Sequence, residues 1–134
     1  MQKIRICIGS NDGETIAKTH MGDTESFYIY DLVATQGYAL VEKRNNIAQD
    51  MEHDGADKMK AIIALVEDAE VFVARQKSPN FVKIAKQTRY QPIVVKVDNI
   101  QSVLSLLLDG FAQLDTYVKR RRAGETFDVI PEIG

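Results

Sequence analysis

Three short apolar runs, IRICIGS (4–10), EVFVA (70–74) and QPIVVKV (91–97), constrain this chain more than any other feature. The first is almost unbroken by polar residues, the pattern of a strand buried on both faces. Such strands need helices packed on each side of their sheet. SFYIYDLV (26–33) and YALVEKR (38–44) are β-rich runs separated by ATQG, whose Gly37 suits a hairpin turn. In ADKMKAIIALVEDA, Met59, Ile62, Ile63 and Val66 fall at i, i+3, i+4 and i+7, one buried helical stripe. Ser78 followed by Pro79 opens a second helix. A third, opened by Asp98 or Asn99, carries Ile100, Val103, Leu104, Leu107, Phe111, Leu114 and Val118 at helical spacing, with Gly110 as a point of weakness. The order β-β-β-α-β-α-β-α predicts a mixed sheet in which the first, fourth and fifth strands are parallel and the second is antiparallel.

A chain of 134 residues suits one domain, here residues 1–122, followed by an irregular tail, residues 123–134. No apolar run approaches the ~20 residues of a membrane span, and no leader pattern is present, so the cytoplasm is the expected location. Cys7, the only cysteine, reads as a small buried hydrophobe, which removes disulfides and multi-thiolate metal sites. The net charge of −2 hides blocks: −6 over residues 1–70, +7 over 71–122 and −3 in the tail. Such blocks mark either a surface for an anionic partner or solvated helix faces. The basic run 119–122 falls at a helix C-terminus, where cations suit the macrodipole without any nucleic acid.

The stretches RICIGSNDGETIAKTHMGDTESFYIYDL, HDGADKMKAIIALVEDAEVFVA and SPNFVKIAKQTRYQPIVVKV resemble the dinitrogenase iron–molybdenum cofactor biosynthesis family, over about residues 3–108. That family includes NifX-type carriers and the domain at the end of the larger protein NifB. The resemblance implies a ribonuclease-H-like α/β fold with a five-stranded sheet in the order 3-2-1-4-5. It also implies a role in nitrogen fixation: binding an iron–sulfur cluster, either the iron–molybdenum cofactor or a precursor, in company with nitrogenase or cofactor-assembly proteins. A histidine in the loop after the first strand is implicated in some members, and here the match is His20. Two stretches depart from the usual pattern. His20-Met21-Gly22 stands where members often read His-Phe-Gly, and Arg75-Gln76-Lys77-Ser78 replaces a glycine-rich turn.

In that strand order, ligands collect where the chain leaves strands 1 and 4 in different directions. The loop from Ser10 to Glu25 starts at strand 1. Arg75 and Lys77 start at strand 4, beside the helix N-terminus at Ser78, where anions settle. The expected site is thus a notch pairing a neutral imidazole, His20, with Arg75, Lys77 and Ser78. A single metal ligand suits a carrier that must release its cargo, and a mobile loop would assist. Met21 either adds a soft thioether contact or packs against the loop base; packing is the simpler account. Gly22 serves the backbone, and Asn11, Asp12 and Gly13 form the turn leaving strand 1, with binding a secondary role for Asn11. His53 with Asp50, Glu52 and Asp57 is a weaker metal-site reading, since Asp54 and its neighbours suit a helix start.

Catalysis has little support. The chain has no nucleophile elbow, P-loop or dinucleotide fingerprint, and its first strand lacks the acid that a magnesium nuclease needs. The alternative from another class is a protein-interaction or regulatory module with no cofactor, using the apolar final helix and the basic patch.

Overall fold

The computed structural model describes residues 2–51, 56–126 and 129–133, the side chains of Ala56 and Asn80 excepted. Six strands, β1 (Lys3–Ser10), β2 (Ser26–Val33), β3 (Gly37–Asn45), β4 (Val71–Ala74), β5 (Gln91–Val95) and β6 (Glu132–Ile133), form one sheet in the order β3-β2-β1-β4-β5-β6. β1 pairs antiparallel with β2 and parallel with β4; β2–β3 is antiparallel, and β4–β5 and β5–β6 are parallel. The four helices are α1 (Ala56–Leu65), α2 (Pro79–Gln87), α3 (Ile100–Asp109) and α4 (Phe111–Arg122).

Strand alternation sorts the core into two layers. Ile4, Ile6, Ile8, Val71, Val73 and Ile93 point to one face, where every member of the third helical stripe is buried against them. Cys7, Phe72, Ala74 and Val94 point to the other, under Ile62, Val66, Phe81 and Ile84 of the α1/α2 layer. Each of the three apolar strands therefore contributes to both layers, which explains their unbroken character. Burying one such aliphatic or aromatic side chain contributes about 1.5–3 kcal/mol.

The helix starts follow local chemistry. The Ser78 hydroxyl accepts the Phe81 N–H at 3.1 Å, with Pro79 in the first turn. Between the two candidates for the third start the structure uses Asn99, whose Oδ1 accepts the Ser102 N–H at 3.2 Å. Gly110 ends α3, so the single final helix expected from the spacing is two helices that keep the same buried stripe. The five-stranded sheet gains a sixth strand from the tail. Ile130 and Ile133 are buried, and Glu132 and Ile133 align with Val94 and Val95. Two residues are too few to carry a period of their own, so this strand has no signature in the sequence.

The members of the basic run find partners within the fold. Arg121 is 1% exposed and donates to the carbonyls of Ala85 (2.7 Å), Ile84 (2.9 Å) and Thr88 (2.7 Å) at the C-terminal end of α2. Lys119 pairs with Asp115, Arg120 with Glu125 and Arg122 with Glu70. The apolar face of the final helix, offered above as part of a partner surface, is thus buried against the sheet, while Lys119, Arg120 and Arg122 of the basic patch remain at the surface. No helix among the described residues is long and apolar enough to cross a membrane.

Candidate functional site at the His20 loop

The long loop after β1 is tied down along most of its length. Asp12 Oδ1 accepts the N–H groups of Glu14 (2.9 Å) and Thr15 (2.8 Å), a turn that lowers the Asp12 pKa to about 2. The chain then crosses the ends of β1 and β5. Ile16 N–H donates to Asp98 C=O at 2.8 Å, Ile100 N–H to Glu14 C=O at 2.9 Å, and Ala17 N–H to Gly9 C=O at 3.1 Å. Gly9 lets the loop lie directly on the strand: a Cβ there would fall 2.8 Å from Thr24 Oγ1 and 3.1 Å from Met21 Cγ.

Met21–Asp23 form one 3-10 turn, with His20 just before it and 26% of the His20 side chain exposed. The turn is held from β3's far end and from α1. Asn46 Nδ2 donates to Gly22 C=O (2.9 Å) and Thr24 C=O (2.8 Å), and Gln49 Nε2 to Asp23 C=O (3.3 Å). Lys58 Nζ lies 2.5 Å from Asp23 Oδ1 and 3.3 Å from Gln49 C=O, with only 3% of its side chain exposed. The turn that follows His20 is thus held at Gly22, Asp23 and Thr24.

A small cleft, with about 30 Å³ open to a water-sized molecule, lies between this turn, α1 and the start of α2. Its walls are Met21, Met59, Ile62, Ile63, Phe81 and Ile84, and its polar rim is His20, Asp23, Lys58 and Ser78. The structure therefore brings His20, Met21, Gly22 and Ser78 together. Met21 is buried in the α1/α2 layer, so packing is its observed role.

The remaining candidates lie elsewhere. Arg75 follows Ala74, which faces the α1/α2 layer, and alternation sends it to the opposite side. There its Nε donates to Asp98 Oδ1 at 2.7 Å and its Nη1 to Val95 C=O at 3.0 Å, stapling β4 to the strand beside it. Lys77 is exposed and does not line the cleft. Asn11 Oδ1 accepts the Glu25 N–H at 2.9 Å, which closes the base of the loop. Of the first-turn amides of α2, Pro79 has no N–H and that of Phe81 is taken by Ser78. His53 and Asp54 lie outside the described residues, among which no three His, Cys, Asp or Glu side chains are grouped to hold a metal ion.

Lys58 and Asp23 are the rim residues that the sequence reading passed over. Lys58 stands four residues before Ile62, so the helical period that marks the buried stripe also carries this lysine to the same face. A cation on an apolar stripe needs a buried partner, and that was the available signal.

The sequence pattern of the family described as dinitrogenase iron-molybdenum cofactor matches residues 2–110, which takes in β1 to β5, the His20 loop and α1 to α3. Comparison with curated proteins gives no match. With four-fifths of its length inside that match, the chain belongs to the dinitrogenase iron–molybdenum cofactor family, whose association is with the handling of that cofactor.

Proposed function

We propose that this protein is a carrier that holds an anionic iron–sulfur cluster, the iron–molybdenum cofactor or a precursor, as cargo for cofactor assembly. It acts in the cytoplasm beside nitrogenase or assembly proteins and performs no catalysis of its own. The observation that carries the reading is the shared cleft of His20, Gly22 and Ser78. A partly exposed imidazole at the mouth of an apolar cleft offers one metal bond without a closed cage. One bond lets the cluster leave, and the apolar walls keep water from the bonded edge. The α2 N-terminus at Ser78 favours an anion through its macrodipole, and Lys77 precedes Ser78 in the chain. Arg75 is committed to Asp98 and contributes by holding the end of β4 in place.

Anaerobic reconstitution with an isolated cluster precursor, read by visible absorption, tests the proposal. Wild-type protein takes up cluster and His20→Ala takes up markedly less while keeping its far-ultraviolet circular dichroism. Equal uptake by both, or none by either, rejects it.

One observation favours the interaction-module reading. Tyr38, Leu40, Val41, Ile47 and Met51, five of the six large apolar side chains exposed among the described residues, all lie between residues 38 and 51. They line the open β3 edge and the segment after it, at a place different from the final helix. A partner that binds here tolerates His20→Ala and loses affinity with Leu40→Lys.

A further inference from the structure

Among the described residues, the Asp23 carboxylate faces two side chains: Oδ1 lies 2.5 Å from Lys58 Nζ, and Oδ2 lies 3.9 Å from His20 Nδ1. The second distance is an electrostatic contact, longer than a hydrogen bond. The backbone around Asp23 is tied: Gln49 Nε2 donates to its carbonyl, and Asn46 Nδ2 donates to those of Gly22 and Thr24 on either side. Lys58, almost wholly buried on α1, fixes the carboxylate from beneath.

We infer that Asp23, anchored by Lys58, is a positioning residue for His20: its carboxylate, 3.9 Å from Nδ1, favours the proton on that nitrogen electrostatically and so presents Nε2 as the metal-bonding nitrogen. The inference rests on the carrier reading above and assigns the chemistry behind its single ligand. Imidazoles that bond a metal through one nitrogen commonly donate from the other to a carboxylate, which sets the tautomer and the ring plane and raises ligand basicity. A carrier with one protein ligand depends on that orientation more than a four-ligand cage does, since no second ligand corrects a rotated ring. Lys58 has a further consequence. It draws part of the carboxylate's charge toward α1, so Asp23 orients the ring without presenting a bare anion to anionic cargo.

Nitrogen-15 correlation spectra of the full apo protein, taken at alkaline pH where imidazole is neutral, read the tautomer directly. Wild-type His20 shows mainly the Nδ1–H form, and Asp23→Asn shifts it toward Nε2–H. Because Asp23→Asn strands the buried Lys58 charge, the double variant Asp23→Asn/Lys58→Met serves as the folded control and shifts in the same direction. Cluster affinity in the double variant falls about 10–100-fold. A wild-type Nε2–H majority, or a tautomer unmoved in the double variant, overturns the inference. So does unchanged affinity for the cluster in a protein whose uptake still requires His20. Uptake indifferent to His20→Ala instead rejects the carrier reading, and the tautomer measurement stands apart from it.

Discussion

Gly22 approaches Ile62 so closely that a Cβ on it would lie 2.7 Å from Ile62 Cδ1. This contact seats the 3-10 turn on α1 and sets the depth of His20 at the cleft. Gly22→Ala is therefore an overpacking change, expected to cost about 1–3 kcal/mol in urea denaturation. Ile62→Val removes the obstructing methyl, so the double variant recovers more stability than the two single losses would sum to. Strict additivity of the two changes argues against the contact.

Arg121 and Arg122 are neighbours in sequence and opposites in consequence. Arg121→Met leaves three carbonyls at the end of α2 without their guanidinium and is expected to cost about 3 kcal/mol or more. Arg122→Ala breaks an exposed pair with Glu70 and costs under about 1 kcal/mol. Thermal or urea unfolding of the two variants separates these outcomes.

Acid lability follows from a linked set of charges. Arg44 donates to Asp68 at 2.6 Å and to the Leu65 carbonyl at 2.9 Å, while Arg5 reaches Asp31 at 2.9 Å and Asp68 at 2.9 Å. The hydrogen bond from Arg44 holds Asp68 well below the usual carboxylate range, and that from Arg5 does the same for Asp31. A carboxylate whose pKa is lower folded than unfolded stabilises the fold above its unfolded value, near ~4. That stabilisation is lost as pH falls through the folded value. Unfolding free energy should be level above about pH 5 and decline steadily below it. Asp68→Asn lowers the plateau and flattens the acid slope; an unchanged slope rejects this origin.

Cys7 has no exposed surface, and burial raises its thiol pKa strongly. The native protein is expected to resist a disulfide reagent that reacts with one thiol per chain in denaturant. Rapid labelling of the native state contradicts the packing of the α1/α2 layer.

Much of the fold could be read before any coordinates. Unbroken apolar strands declare burial on both faces, and the stripe from Ile100 to Val118 keeps its period across Gly110, so the layers follow from local pattern, while the strand order came from the family resemblance. Ser78 announces its cap through short-range chemistry alone. His20, Met21, Gly22 and Ser78 were legible as neighbours through family resemblance and the ends of two adjacent strands. Arg75 was misplaced for a reason that operates only in three dimensions: one step past Ala74, its side chain turns to the other face, where Asp98 waits.

Local periodicity and capping, acting over a few residues, determined by themselves the first five strands, the helical stripes and the location of the His20 loop. Tertiary structure alone decided which charges meet. Lys58 and Asp23 are 35 residues apart, Arg5 and Asp68 are 63, and Arg121 and Ala85 are 36. Pairing of buried charges depends on desolvation and on distances of a few ångströms between elements, quantities that no window along the chain contains.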